Sequence, residues 1–479
     1  MRVAFIPTAY RTPIFLGIAE RLERTGHRVD WLSPNRRWAT WLRRRGVEPA
    51  AVLDVTGDGK SWTREPTPTA ADLLELEEIE GHGSLKARDI IQMDPLLRLR
   101  PTDYALRYLA VCARLVSAFI RERDIELVLG EQTWAFELLT GQVCRSLGID
   151  HLMPHTVRIP DPRFAFFAGP REEALVEIRP PSPDDHQRAR DHLAEFRGRQ
   201  PRPTYMSIDR SVVQPNAARL TTLVRHVLDL AGDPFDETSR RPLGLVLDHS
   251  RQVLRRQRNL RSRLLERPPA ELPSAGTWSP FVFFPLHMQP EASLDIKGAP
   301  YTNQIEVVRA LARTLPLSHS LLVKEHGIAM TRRPRTFYRD LVAIPGVRLI
   351  HPSADSFALT RCAALTVTIT GTAAYEAALL GCPAATVAPV FFDRIVDFPR
   401  FDPYRDRLDE ALERRGRRCS EDELVAFLAH VLANSFPGIV GDALWQPESA
   451  SDEMLNRITL GFQRLLELRQ VDDFGTGLG

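Results

Sequence analysis

The stretch from Thr366 to Val390 constrains the fold more than any other part of the sequence. It reads TVTITGTAAYEAALLGCPAATVAPV, and Glu376 is its only charged residue in a chain of which 26% is charged. An apolar run of this length is either a membrane span, for which about 20 residues suffice, or the interior of a globular domain.

The order of residue types within this stretch favours a globular interior. β-Branched residues favour strands and precede Gly371, whereas alanine and leucine favour helices and precede Gly381 and Pro383, which are typical of a helix end. The sequence therefore predicts a strand, a turn at Gly371, a helix over about 373–380 and a second strand over about 384–390. Strands without polar alternation are typical of a parallel sheet that is covered on both faces.

The length and composition indicate several domains without a strong overall charge. At 479 residues the chain is longer than one ordinary domain, and two or three are expected. Its 63 basic and 61 acidic residues nearly cancel, so the net charge does not call for nucleic acid. The five cysteines are odd in number and scattered, which excludes a disulfide framework or a metal knuckle. The N-terminus runs directly into a strand pattern without signal-peptide features, so we expect a cytoplasmic protein.

Alternating strand and helix patterns predict an α/β chain with mostly parallel sheets. They occur in two blocks, which we interpret as two α/β domains with a cleft between them. The predicted boundaries are 1–178 for the N-terminal α/β domain, 179–275 for a helical connecting region, 276–402 for the C-terminal α/β domain and 403–479 for a C-terminal helical tail.

Two arginine-rich segments each leave two interpretations open. HSRQVLRRQRNLRSRLLERPP, at 249–269, is typical either of a solvated connecting helix or of a basic surface for an anionic acceptor or a membrane. RRWATWLRRRG, at 36–46, combines Trp38 and Trp41 with five arginines. It is therefore either an interfacial segment that contacts a lipid membrane or a solvated amphipathic helix.

Polar residues follow four successive strands of the second α/β domain. In open α/β sheets, ligands bind beyond the carboxyl ends of the strands, where helix N-termini supply free N–H groups. The sequence therefore predicts a polar, partly cationic pocket at this edge. The residues predicted to line it are His287, Gln289, Glu291, Lys324, His326, Ser353, Asp355, Ser356, Thr370, Gly371 and Thr372.

The Thr370–Thr372 turn (TGT) is the clearest element of this predicted pocket. Glycine lets a backbone approach a ligand closely, and the N–H groups at the start of the following helix can receive a phosphate. Glu376 follows about one helical turn later, where a carboxylate can accept the hydroxyls of a ribose. The alternative for Glu376 is an ordinary surface residue. Lys324 and His326 are suited to neutralise a phosphate.

In the first domain, Glu131 follows an apolar strand directly. A carboxylate at a strand end is a reasonable general base, and it could equally cap the next helix, because acids are favourable near helix N-termini. Four cationic side chains of this domain would contact an anionic acceptor or form ordinary salt bridges: Arg11, in the loop after the first strand, and His155, Arg158 and Arg163.

Several catalytic motifs are missing from the sequence. It contains no Walker A, GxGxxG, HExxH or GxSxG motif, which weakens the kinase, dehydrogenase, metalloprotease and hydrolase interpretations. It also lacks a DxD pair at a strand end, which would be needed to bridge a sugar nucleotide through a metal ion. We therefore expect neither a metal ion nor a cofactor.

Several of these motifs, in the same order, resemble those of the bacterial capsule polysaccharide biosynthesis protein family, which includes transferases that add Kdo. They are GEQTWAFELLTGQVCRSLGIDHLMPHTVRIPDPRFAFF, FVFFPLHMQPEAS, LLVKEH, FYRDLVAIPGVRLIHPSADSF and TITGTAAYEAALLGCPA. The resemblance covers roughly 125–167 and 280–392 and implies a GT-B glycosyltransferase. Such an enzyme has two Rossmann-like domains facing a cleft, holds the nucleotide sugar in the C-terminal one and needs no metal.

The resemblance also assigns individual residues. The TGT turn and Glu376 match the family's nucleotide-binding motif, and Lys324 with His326 matches its Lys-x-His element. The family often has proline after this histidine, where this chain has Gly327.

These features together predict a glycosyltransferase. It would move a sugar from a nucleotide-activated donor, CMP-Kdo or another nucleotide sugar, to a surface polysaccharide or lipid-linked acceptor, at the cell membrane's inner face if it contacts lipid. The alternatives are a GT-B-shaped sugar-nucleotide epimerase, a teichoic-acid-type polyol-phosphate transferase, or a catalytically idle scaffold of a polysaccharide assembly complex.

Overall fold

A computed structural model describes residues 1–8, 11–57, 60–199, 251–252, 254–267, 280–414, 419–443 and 446–475, with the backbone alone for 471–475. The chain divides into two compact units. Within the described residues, the first unit comprises 1–180 and 431–475, and the second comprises 181–199 and 251–430.

The first unit is built on a sheet of eight strands in the described residues, with the order β13-β6-β5-β4-β1-β2-β3 and β7 paired to β6. The five strands from β3 to β5 in this order are parallel, whereas β6 pairs antiparallel with β5, β7 and β13. The strands are β1 (Arg2–Phe5), β2 (Arg28–Ser33), β3 (Val52–Asp54), β4 (Leu127–Leu129), β5 (Asp150–Thr156), β6 (Arg163–Ala168), β7 (Ala174–Leu175) and β13 (Phe436–Pro437).

Helices cover this sheet and enclose an aromatic core. Phe5 and Phe15 pack with their ring centroids 5.4 Å apart, and Phe166 meets Phe462 of the last helix edge to face at 4.9 Å. The helices are α1 (Thr12–Arg24), α2 (Arg36–Arg43), α3 (Ser61–Arg64), α4 (Ala70–His82), α5 (Ala87–Met93), α6 (Thr102–Glu122), α7 (Ala135–Ser146) and α16 (Asp452–Gly475).

The second unit has a parallel sheet with the order β10-β9-β8-β11-β12. Its strands are β8 (Phe281–Pro285), β9 (Ser320–Lys324), β10 (Val347–Ile350), β11 (Leu365–Thr368) and β12 (Ala384–Thr386). Its helices are α8 (Pro183–Arg199), α9 (Ala292–Asp295), α10 (Gln304–Arg313), α11 (Arg335–Val342), α12 (Ser356–Cys362), α13 (Thr372–Leu379), α14 (Leu408–Glu413) and α15 (Glu421–Ala433), the last of which runs into the first unit.

Both sheets have the doubly wound order in which the first strand lies between the second and the fourth. The predicted α/β class with two Rossmann-like domains is therefore confirmed. The charge-poor stretch is β11, a turn, α13 and β12, with β11 and β12 parallel as predicted. Its second strand ends at Thr386 rather than near Val390. No helix in the described residues is long and apolar enough to cross a membrane.

The segments outside the two predicted α/β domains are distributed between the units. The predicted tail, 403–479, contributes residues up to His430 to the second unit and the rest to the first. Of the predicted connecting region, 179–275, α8 belongs to the second unit, while 200–250, 253 and 268–275 lie outside the described residues.

The tryptophans of the segment 36–46 lie against the protein interior, which favours the solvated amphipathic helix over the segment that contacts a membrane. Trp38 in α2 is buried, and Trp41 packs against the core of the first unit. The guanidinium of Arg45 lies 3.5 Å from the centroid of the Trp41 ring. Because α2 uses its apolar side for the core, neither tryptophan is exposed to contact a membrane interface.

Glycine-to-alanine substitutions at two helical positions test the packing of α16 in the first unit. A Cβ at Gly461 would lie 2.7 Å from the ring of Phe436 and 2.8 Å from that of Phe164, whereas at Gly81 no described atom lies within 4 Å. We expect Gly461→Ala to lower the free energy of unfolding by about 1–3 kcal/mol through overpacking. Gly81→Ala should raise it by up to about 1 kcal/mol, because alanine favours a helix. Urea unfolding measures both, and a stabilised Gly461→Ala protein would contradict this packing.

Candidate functional site

The carboxyl ends of β8, β9 and β11 meet where the strand order of the second sheet reverses. Pro285 at the end of β8 pairs with Lys324 at the end of β9, and β11 lies on the other side of β8. The residues that follow these strands therefore lie at one edge of the sheet, where α/β proteins bind ligands.

His287 joins the ends of β8 and β11. Its Nε2 accepts a hydrogen bond from the backbone N–H of Thr370 at 3.3 Å, while the Thr370 hydroxyl donates to the carbonyl of Ser293 at 2.6 Å. Burial lowers the pKa of His287 to about 3, with smaller contributions from His326 and Arg333. The ring is therefore neutral, and because Nε2 accepts, Nδ1 carries the proton. This buried Nδ1 has no hydrogen-bond partner within the described residues.

Glycine is required at position 371 because the hydroxyl of Thr368 and the ring of His287 leave no space for a Cβ. It is the N-cap residue of α13, and its N–H donates to the hydroxyl of Thr368 at 3.1 Å. A Cβ at this position would lie 2.6 Å from that hydroxyl and 3.3 Å from Nε2 of His287. Its φ of −72° is accessible to any residue, so the reason for glycine is space and not backbone conformation. The turn thereby brings the start of α13 against the imidazole.

Lys324 and His326 lie at the end of β9. The ammonium of Lys324 donates to the hydroxyl of Ser356 at 2.8 Å. Burial, together with the charges of Lys324 and Arg333, lowers the pKa of His326 to about 4. Its buried Nδ1 also lacks a hydrogen-bond partner in the described part of the chain. Two neutral imidazoles and the Lys324 ammonium thus lie at neighbouring strand ends.

Arg333 and Glu325 complete this cluster, and no pattern in the sequence pointed to Arg333. Arg333 is 6% exposed, and its guanidinium donates to the backbone carbonyl of His287 at 2.6 Å. Its Nε lies 3.7 Å from a carboxylate oxygen of Glu325, which is 1% exposed. Burial raises the pKa of Glu325, and the charge of Arg333 opposes this effect. In the sequence, Arg333 stands beside the exposed Arg332, and nothing distinguishes the two.

Glu376 is buried within α13, with 6% of its surface exposed. It follows Thr372, the first residue of this helix, by four positions, about one helical turn. Its burial excludes the alternative of an ordinary surface residue. A buried carboxylate is costly unless polar partners compensate it, so we expect Glu376 to be present for a specific contact.

Four other residues of the predicted pocket form hydrogen bonds with neighbouring residues: Gln289, Glu291, Ser353 and Asp355. Asp295 accepts from the Gln289 side chain and from the Glu291 backbone N–H, both at 3.0 Å. The exposed Ser353 lies 2.6 Å from Nδ1 of His351. The exposed Asp355 caps α12 by accepting from the N–H at position 357 at 3.1 Å. These four residues have structural roles beside the binding roles predicted for them.

Glu131 in the first unit forms a buried ion pair with Arg11, so two residues predicted separately lie together. Glu131 is not the cap of α7. Glu137 accepts from the backbone N–H groups of Thr133 and Trp134 at 2.6 and 3.1 Å, and Asp94 accepts from that of Ala135 at 2.8 Å. The capping role that the sequence left open for Glu131 is therefore filled by other carboxylates.

The three other predicted acceptor contacts lie in two different settings. Glu172, buried in the first unit, lies 3.0 Å from Nδ1 of His155 and accepts from Arg158 at 3.1 Å. The structure corrects the acceptor role predicted for Arg163. This residue is buried and donates to the hydroxyl and the carbonyl of Ser435 and to the carbonyl of Leu432. It binds the C-terminal segment of its own unit, so we remove it from the acceptor site.

Comparisons with known proteins give only distant similarities. No family model matches the chain, and no curated protein matches it significantly. Two solved structures of Thermosulfurimonas dismutans KpsC are similar to it. The beta Kdo 2,7 transferase has 13% identity over 74% of this chain and 89% of that chain, with a TM-score of 0.34. The beta Kdo 2,4 transferase has 11% identity over 68% and 87%, with a TM-score of 0.36.

A third similar structure is the UDP-GlcNAc 2-epimerase of Methanocaldococcus jannaschii in complex with UDP-GlcNAc and UDP. It has 11% identity over 90% of this chain and 99% of that chain, with a TM-score of 0.28. Because all three TM-scores are below 0.5, these similarities carry no argument about the activity of this chain.

Acid should destabilise the second unit through its buried neutral histidines. The pKa of His326 is lowered to about 4 in the folded state and is near 6.5 in the unfolded chain. Between these values the unfolded chain binds more protons, so stability is retained above pH 6.5 and falls with pH by about 1.4 kcal/mol per unit. In urea unfolding, the free energy of unfolding of the natural protein should fall between pH 6 and pH 5. In His326→Gln the fall should be smaller by about this amount. Substitution of the exposed His82 by Gln is the control and should leave the loss unchanged. Equal pH dependence in the natural protein and His326→Gln would contradict a neutral, buried His326.

Proposed function

We propose that the protein is a glycosyltransferase that moves a sugar from a nucleotide-activated donor to a hydroxyl group of a saccharide or lipid-linked saccharide acceptor. The observation that supports it most is the convergence at one sheet edge of buried imidazole nitrogens with a cation and a glycine turn. Nδ1 of His287 carries a hydrogen, and neither it nor Nδ1 of His326 has a hydrogen-bond partner among the described residues. Lys324 and the turn at Gly371 lie at the adjoining strand ends.

In this proposal the donor's phosphate binds at the turn and its ribose near Glu376. The N–H groups at the start of α13 and its positive dipole end favour a phosphate. Lys324 supplies the charge, and His287 supplies a neutral donor. CMP-Kdo is the donor that the family resemblance implies, with other nucleotide sugars as alternatives.

The reaction is a direct displacement that requires no metal. The acceptor hydroxyl oxygen forms a bond to the anomeric carbon, and its proton passes to the carboxylate of Glu131. The bond between the anomeric carbon and the phosphate oxygen breaks, and the nucleotide leaves with the electron pair. The negative charge that grows on the leaving phosphate is stabilised by Lys324 and the start of α13, which is the kind of electrostatic stabilisation that usually contributes most.

Arg11 constrains the proposed base. Its guanidinium is buried against Glu131, and burial lowers its pKa while Asp442, Glu137 and Glu172 raise it. The charge on Arg11 holds Glu131 in place but occupies one of its oxygens. An anionic acceptor would draw Arg11 toward itself and release Glu131 to take the proton. His155 and Arg158, held by Glu172, are the other contacts proposed for such an acceptor.

Nucleotide binding tests the donor site. In a calorimetric screen of nucleoside mono- and diphosphates, with CMP and UDP first, we expect one class to bind the natural protein. Lys324→Ala should weaken that binding about 10- to 100-fold, because a charged hydrogen bond contributes about 1.5–3 kcal/mol. Glu376→Gln should weaken it through the ribose while preserving the shape of the side chain.

The control for charge is Lys86→Ala, at an exposed position of the first unit, which should bind as the natural protein does. Unchanged affinity in both site variants would remove the donor-site assignment. A natural protein that binds no nucleotide would favour the scaffold alternative. Incubation with sugar nucleotides and no acceptor separates an epimerase, which needs none, from a transferase.

The rate of sugar transfer tests whether Glu131 is the general base. Glu131→Gln should reduce transfer about 100- to 10,000-fold, the range that general bases contribute, with nucleotide affinity retained. Glu122→Gln changes the same charge at an exposed position of α6 and should retain full transfer. A Glu131→Gln protein that is folded and fully active would exclude Glu131 as the base.

A further inference from the structure

The described residues of the arginine-rich segment, 251–252 and 254–267, are attached to the second unit and do not form a free connecting helix. The amide of Asn259 is buried and donates to the carbonyls of Met330 and Arg333 at 2.9 and 3.0 Å. Leu265 is 5% exposed and belongs to the core that includes β8 and β9. The backbone N–H of Glu266 donates to Leu349 at 2.8 Å, so the segment adds to the edge of β10.

The arginines of this segment remain on the outside. Residues 251–267 contain seven arginines and one acidic residue, Glu266, which pairs with Arg348. The adjoining residues before and within α11 add three exposed arginines. The contact from Arg255 to the carbonyl of Arg332 joins the two groups. We call this surface the arginine face; its members are Arg251, Arg255, Arg256, Arg258, Arg261, Arg263, Arg267, Arg332, Arg335 and Arg339.

Most arginines of the arginine face form no ion pair with the described residues. Within the described ranges, no carboxylate forms a salt bridge with Arg251, Arg256, Arg258, Arg261, Arg263, Arg267, Arg335 or Arg339, although Arg348 beside them is paired. A concentration of like charges raises the local potential by several kT and attracts an anionic partner. Because the guanidiniums extend over the described residues of 251–267 and over α11, the partner must present many anionic groups over an area.

Two observations favour a lipid surface over a nucleic acid or another polyanion. Leu254 lies in the same segment and is 71% exposed, so an apolar side chain is presented among the guanidiniums. Proteins that bind single-stranded nucleic acids also present aromatic rings for stacking. Among the described residues of this face the large exposed apolar side chain is a leucine, and the nearby Phe337 is partly buried, with Arg333 4.2 Å above its ring.

We propose that the arginine face docks the protein on an anionic phospholipid surface. The guanidiniums contact lipid phosphates, for which their planar, forked donors are suited, and Leu254 enters the boundary between headgroups and acyl chains. Each arginine near such a surface contributes about fivefold to the partition coefficient, and salt screens this attraction. The proposal does not depend on the transferase activity.

Flotation of the full chain with vesicles tests the proposal. We expect binding to vesicles of phosphatidylcholine with about a third phosphatidylglycerol, none to phosphatidylcholine alone, and weaker binding as salt is raised. The triple variant Arg258→Gln, Arg261→Gln and Arg263→Gln should lose about 100-fold in partition, at about fivefold for each charge. Leu254→Ser should lose a part that persists at high salt.

The matched control removes the same number of charges from exposed positions of the first unit: Arg24→Gln, Arg28→Gln and Arg145→Gln. It should bind vesicles as the natural protein does, and thermal unfolding verifies that both triple variants are folded. Equal losses in both would show that total charge and not this face is responsible. Binding to single-stranded DNA or heparin without binding to anionic vesicles, or no loss in the Arg258, Arg261 and Arg263 variant, would overturn the proposal.

Discussion

The backbone N–H of Thr370 donates to Nε2 of His287, and this hydrogen bond joins the ends of β11 and β8, between which the order of the second sheet reverses. An Nε2 that accepts leaves the proton on Nδ1, so the contact fixes the tautomer. Burial then keeps the ring neutral. A ligand that forms a hydrogen bond with Nδ1 must therefore offer an acceptor.

The positive charge at the same edge comes from other side chains. Lys324 is partly exposed and bonded to Ser356, whereas Arg333 is buried between the carbonyl of His287 and Glu325. A flexible, partly solvated ammonium can follow a phosphate that arrives and leaves. A guanidinium that is fixed on two strand ends stabilises the shape of the site instead. The division explains why Arg333 is suited to position His287 and Lys324 is suited to contact the ligand.

What the sequence predicted well depends on short-range patterns. The order of β-branched residues, Gly371, alanines and Pro383 predicted β11, α13 and β12, because the residue type at each position reflects local propensity and burial. The position of Glu376 in an apolar helix likewise predicted its burial. Contacts between distant residues were not predictable. Arg163 bonds to Ser435, 272 residues away, and no feature near Arg163 in the sequence distinguishes this structural role from an acceptor contact.

The net charge also shows that the sequence does not reveal which distant residues share a surface. The formal charge of +2 argues against a polyanionic partner when it is treated as a property of the whole chain. Electrostatic attraction acts over roughly one Debye length, about 8 Å at physiological ionic strength, so a partner responds to the charges on the surface it touches. Residues 251–267 carry seven arginines and one glutamate, and the buried Asn259 and Leu265 fix that segment on the second unit with its arginines outward. Within the described residues, no carboxylate forms a salt bridge with most of the arginines on this surface. A nearly neutral chain can therefore present a strongly cationic face, and its partner is determined by that face.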